Sequence, residues 1–116
     1  MTLGCFSGGH VFLGVYFESE AIKKPYSPIS AVNEKGKATF VIKTYRKDPN
    51  FPNQGKMTQY LENEVKESAK LFVSGPIGMY QYSGNGIFAQ RGKETKILSP
   101  KQNVWMIAGG SGVTPL

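Results

Sequence analysis

Residues 38–45, ATFVIKTY, alternate in character along an extended chain. Ala38, Phe40, Ile42 and Thr44 fall on one side, and Thr39, Val41, Lys43 and Tyr45 on the other. β-branched and aromatic residues dominate, so this is the clearest strand in the sequence. Working outward, residues 10–17 (HVFLGVYF) read as a second strand, and residues 70–74 (KLFVS) as a third that ends at Gly75 and Pro76. Residues 86–89 and 104–108 are weaker candidates. Only residues 57–66 look helical, because Met57, Tyr60, Leu61 and Val65 form one stripe at helical spacing. Residues 48–56 (DPNFPNQGK) carry two prolines and a glycine, which leaves no room for a ladder. Short strands between frequent glycines and prolines predict an antiparallel sandwich or barrel.

The 116 residues suffice for one domain of ordinary size. An apolar share of 40% with 19% charged residues argues against a disordered chain. No apolar run reaches the ~18–20 residues that span a bilayer, so no membrane segment is expected. The first 17 residues are apolar but lack the basic start of a signal peptide, and read as leading into a buried strand. A single cysteine, Cys5, forms no disulfide within the chain and fits a reducing compartment. With one histidine beside it, no metal site is expected. The net charge of +6 is spread along the chain and forms no stripe. It suits an acidic protein partner or a phosphate-bearing cofactor better than nucleic acid.

Four stretches carry candidate chemistry. In residues 24–27 (KPYS), prolines hold the chain extended, so Lys24 and Tyr26 share a side and Ser27 takes the other. That sets a cation and an aromatic ring side by side, with a hydroxyl next door; a proline-bracketed edge strand with an exposed lysine is the alternative. Residues 55–61 (GKMTQYL) place Gly55 before a helix start, where free amides and the helix dipole attract anions; ordinary capping by Thr58 is the alternative. Residues 104–115 run from an apolar stretch into Gly109, Gly110, Ser111 and Gly112. Such a turn lets backbone approach a phosphate-bearing ligand, although alone it is also a common plain loop. His10 stands at the mouth of the strand over residues 10–17, where it is a structural residue or a proton conduit.

Taken in order, GGHVFL (8–13), KPYSPIS (24–30), FVIKTY (40–45), FPNQGKMTQYL (51–61), GPIG (75–78), YSGNGIFA (82–89) and MIAGGSGVTP (106–115) resemble the NADH–cytochrome-b5 reductase family. The resemblance covers the chain from about Gly8 to its end. It implies a mainly β fold: an antiparallel six-stranded Greek-key barrel of the ferredoxin-reductase type that holds FAD, with one short helix. An α/β domain for NADH would follow. The implied division is a barrel over 1–92, lacking N-terminal strands, then a linker over 93–103 and the start of the NADH domain over 104–116. On this resemblance Lys24 meets the FAD pyrophosphate, with Pro25 and Tyr26 beside the flavin and Ser27 near its N5. Val41 and Lys43 border the cofactor, and Gly55, Lys56, Met57 and Thr58 form the phosphate turn. His10 relays a proton, so His10 and Ser27 are the implied catalytic pair. Thr114 reaches the flavin, and Gly109, Gly110 and Gly112 face the nicotinamide nucleotide.

Three departures stand out. Lys24 replaces the family's Arg and Ser27 its Thr, while residues 64–69 (EVKESA) lack the family's glycine turn. The implied function is an oxidoreductase passing electrons from NADH through FAD to cytochrome b5 or a similar acidic haem protein. The implied location is cytoplasmic, at the cytosolic face of the endoplasmic reticulum or mitochondrial outer membrane for a full-length protein. The 116 residues alone are expected to lack a complete hydride-donor site. The alternatives are an inactive fragment and a small basic binding module.

Overall fold

The computed structural model describes residues 2–17, 19–52 and 54–116. Strand β1 (His10–Phe17) is the centre of the first sheet, with β2 (Glu20–Tyr26) and β3 (Phe72–Ile77) antiparallel on either side. In β1 the register pairs Val11 with Tyr26, Leu13 with Lys24 and Val15 with Ile22. These odd-numbered β1 residues are buried, so one face of the sheet carries the core and Lys24 and Tyr26 lie on it too. β2 is an edge strand, the place where the missing N–H of Pro25 is tolerated.

The helix α1 (Lys56–Asn63) closes that face. Its apolar stripe is Met57, Tyr60 and Leu61; Met57 is 2% exposed, and Tyr60 meets Phe17 edge-on at 5.3 Å. The helix ends three residues before the predicted limit, because Glu64 N and Val65 N both donate to Tyr60 O. Cys5, Val11, Leu13, Val15, Ile22 and Met57 form the buried cluster, with Phe40 and Ile42 packed against it.

The second sheet is smaller: β4 (Tyr80–Tyr82), β5 (Phe88–Gln90) and β6 (Lys96–Ile97), all antiparallel. Residues 5–9 tie it to the first. Tyr82 N donates to Ser7 O at 3.0 Å, and Arg91 stacks over the Phe6 ring at 4.3 Å. Gly8 makes this crossing possible: at φ +90 it passes the Tyr80 carbonyl so closely that a side chain would collide.

Several sequence expectations need correction. The strands form two three-stranded sheets rather than one six-stranded closed barrel. Residues 38–45 belong to no ladder, although their burial alternates as the sequence predicts, with Phe40 and Ile42 inward and Val41 and Lys43 outward. Two ties pin the segment near its start, Ile29 N to Thr39 O and Thr39 N to Ser30 Oγ, and between them and Tyr45 it runs extended. β3 does not stop at Gly75 and Pro76 but runs through them to Ile77, with a one-residue register shift opposite His10 and Phe12. Residues 104–108 form no strand, and Trp105 and Ile107 are about nine-tenths exposed. Residues 93–103, read as a polar linker, supply β6 and are tied further by Lys101 N to Gly86 O. β4 and β6 were not read from the sequence as strands, and of β2 only the end at residues 24–26 was, as an extended edge segment.

Candidate functional site

β2, residues 41–45, the start of α1 and residues 111–115 surround an open cleft of about 950 Å³. Lys24 and Tyr26 share the face of β2 that pairs with Leu13 and Val11, and both line the cleft. Pro25 and Ser27 also line it, as do Val41 and Lys43 from the opposite wall. Gly55, Lys56, Met57 and Thr58 form one end, and Gly112 and Thr114 another. His10 reaches the cleft from the first residue of β1. Sequence segments up to about a hundred residues apart therefore converge on one place. Gly109 and Gly110 do not line the cleft; both are exposed beside the 3-10 turn Gly110–Val113.

The turn before α1 is built around Gly55. Its φ of +75 favours glycine, and a side chain there would run into the Tyr45 carbonyl. The first helical bond is Gln59 N to Gly55 O at 2.8 Å, so the amides of Lys56, Met57 and Thr58 precede the ladder. Thr58 does not cap them. Its hydroxyl donates to Gly55 O at 3.1 Å and accepts from Tyr45 N at 3.1 Å, and no side chain caps the helix. Thr58 thus fastens the end of the 38–45 segment to the helix start, helped by Gln59 Nε2 donating to Tyr45 O at 2.9 Å. No hydrogen bond joins His10 to Ser27 or Thr58 among the described residues.

Four lysines line the cleft: Lys23, Lys24, Lys43 and Lys56. Lys56 pairs with Glu20 at 3.2 Å, whereas Lys24 and Lys43 enter no ion pair among the described residues. Lys23 lies over the Phe12 ring at 4.8 Å and Lys43 over Tyr45 at 5.2 Å. Burial pushes the Tyr26 phenol above its ordinary range, so it is neutral at physiological pH and presents a ring with a hydroxyl. Sequence reasoning missed Glu20. Its signal was the two-residue spacing Glu20, Ile22, Lys24, Tyr26, which puts the carboxylate on the same face as the residues it did find.

An elongated ligand with anionic and aromatic parts suits this lining. The volume lies in the range of small-molecule and cofactor clefts. Lys24 and the leading amides of α1 offer positive charge. Tyr26 offers a flat apolar wall, and Ser27 and Thr114 add hydroxyls. These residues fit a flavin dinucleotide. Among the described residues, no group of three His, Cys, Asp or Glu could hold a metal ion.

Comparison with known proteins agrees. The family described as the oxidoreductase FAD-binding domain matches residues 1–82. The chain belongs to this family. Relatives of this FAD-binding domain include NADH-cytochrome b5 reductase 3 of Mus musculus, 40% identical over 98% of the chain but only 39% of that protein. A nitrate reductase [NADH] of Hordeum vulgare is 38% identical over 99% of the chain and 12% of its own length. The cytochrome b5 reductase domain of Ulva prolifera nitrate reductase has a similar structure. The TM-score is 0.83 at 32% identity, covering 99% of this chain and 42% of that one. The resemblance read from the seven motifs is therefore borne out, and the chain spans well under half the length of these relatives.

Proposed function

We propose that this FAD-binding domain holds FAD in the cleft between β2, residues 41–45 and α1, as part of an NADH-dependent reductase. The observation that carries the reading is the convergence of residues 24–27, Val41, Lys43, residues 55–58 and Thr114 on that one cleft. Lys24 and the amides of Lys56, Met57 and Thr58 take the diphosphate. Lysine gives a point charge where arginine would give a bidentate fork, so Lys24 attracts the diphosphate without fixing its orientation. Tyr26 covers one face of the ring and keeps water from it. Ser27 and Thr114 present hydroxyls to its polar edge, and His10 is the nearby imidazole that takes up or releases a proton. Thr58 acts indirectly, by holding the turn in shape.

Bound FAD supplies the redox chemistry, accepting a hydride and releasing single electrons, and the protein supplies binding and orientation. NADH as donor, and an acidic haem protein such as cytochrome b5 as acceptor, follow from the relatives' names and from the net charge of +6. Gly109, Gly110 and Gly112 are assigned to the nicotinamide side, as the opening of a following α/β part over 104–116. The FAD-holding part would then run past residue 92, because β6 pairs with β5. A cytoplasmic setting belongs to the same proposal, and no helix among the described residues is long and apolar enough to cross a membrane. The test is gel filtration after incubation with FAD. Protein that elutes yellow with about one flavin per chain supports the reading, and colourless protein overturns it.

A further inference from the structure

Glu20 is the only carboxylate among the described residues lining the cleft, and it sits against the lysine at the start of α1. Lys56 Nζ lies 3.2 Å from Glu20 Oε2, which joins the first residue of β2 to the first residue of α1 across 36 positions of sequence. A carboxylate there opposes everything else about that end of the cleft, where leading amides and a lysine would otherwise combine their positive charge. Its reach is local. Lys24 is four residues further along β2, about 13 Å at strand rise, beyond a Debye length at physiological salt. Glu20 therefore acts chiefly on Lys56, its ion-pair partner, and less on Lys24.

We infer that Glu20 tunes the affinity and charge selectivity of the anion end of the cleft, by engaging Lys56 and so limiting the positive charge offered to a diphosphate. The inference rests on the flavin-dinucleotide reading above. A ligand diphosphate arriving at α1 must share Lys56 with Glu20 or draw it away. Both partners are substantially exposed, with side-chain exposures of 42% and 62%, so the competition is modest. Glu20 is thus a positioning residue for Lys56, and a more highly charged ligand is disfavoured more than a dinucleotide.

The experiment is FAD titration of the full chain and of Glu20→Gln, Lys56→Gln and the double variant, read by flavin fluorescence at low and high salt. Glu20→Gln is expected to tighten FAD binding about two- to fivefold at low salt. The gain should shrink at 1 M salt, where the Debye length is about 3 Å. It should be larger for inorganic pyrophosphate, measured by competition, and should disappear in the Lys56→Gln background. Glu20→Asp, which keeps the carboxylate, should show little of the gain and stay near the native affinity. Unchanged or weaker FAD binding by Glu20→Gln overturns the inference, as does an equal gain without Lys56. A urea midpoint for each variant separates a folding defect from a binding one. If the native chain itself binds no FAD, the proposed function falls and this inference with it. If the native chain binds and Glu20→Gln changes nothing, only the inference falls.

Discussion

Gly55 and Thr58 show how a few atoms hold the cleft open in one shape. Gly55→Ala would force a side chain into left-handed backbone against the Tyr45 carbonyl, and is expected to cost about 1–3 kcal/mol, read as a lower urea midpoint. Thr58→Val keeps the shape but removes the hydroxyl that both donates to Gly55 O and accepts from Tyr45 N. The expected loss is about 1–3 kcal/mol, with Thr58→Ser well below it because the hydroxyl survives. Tyr26 adds a pH dependence. Burial raises its pKa, so the folded chain holds the phenol proton more tightly than the unfolded chain. That contribution is complete below roughly pH 10 and is lost as pH rises through the folded value. Cys5 has the same sign from about pH 9.0, its thiol raised by burial. Urea midpoints measured across the alkaline range should fall, and Tyr26→Phe should flatten the part of the fall above about pH 10.

At the scale of the elements, β1 carries the core through Val11, Leu13 and Val15, and residues 38–45 cover it through Phe40 and Ile42. Leu13→Ala is expected to cost about 2–5 kcal/mol, which in so small a core leaves much of the protein unfolded in a thermal melt. Phe40→Ala should cost roughly 1–3 kcal/mol, less than a fully buried phenylalanine, and Val41→Ala about 0.5 kcal/mol or less, since Val41 faces out at 58% exposure. The contrast between those neighbours checks the alternation directly. The alternation was legible in ATFVIKTY because side-chain facing depends only on an extended backbone. Ladder membership was not, because it depends on which chain lies alongside. The first half of β2 escaped for a related reason: EAIKK has little β pattern of its own and is a strand because β1 holds it, whereas the prolines had already marked residues 24–27 as extended. β6 is two residues of a polar run, recognisable only from β5. The site was more legible than the fold. KPYS and GKMT each fix a local geometry by proline or glycine, whereas the carboxylate facing Lys56 comes from the far end of β2, 36 positions away in sequence.

The whole molecule is extended. Its radius of gyration is 16.4 Å, against about 13 Å for a compact chain of this length. Its accessible surface is 9014 Å², against roughly 6,200 Å² for a compact monomer of this mass. Trp105, Ile107 and Phe72 are among the apolar side chains left open. A chain with so much surface and so few buried residues is marginally stable, so a ligand that bridges β2, residues 41–45 and α1 should stabilise it strongly. FAD at a hundred times its Kd is expected to add about 2.7 kcal/mol, and to raise Tm by roughly 10 °C. The most direct test of the cleft as a flavin site is fluorescence titration of FAD with the native chain and with Lys24→Gln. Saturable quenching by the native chain, weakened at least severalfold in Lys24→Gln, is the predicted result. Flavin fluorescence that stays unchanged at saturating protein would contradict it.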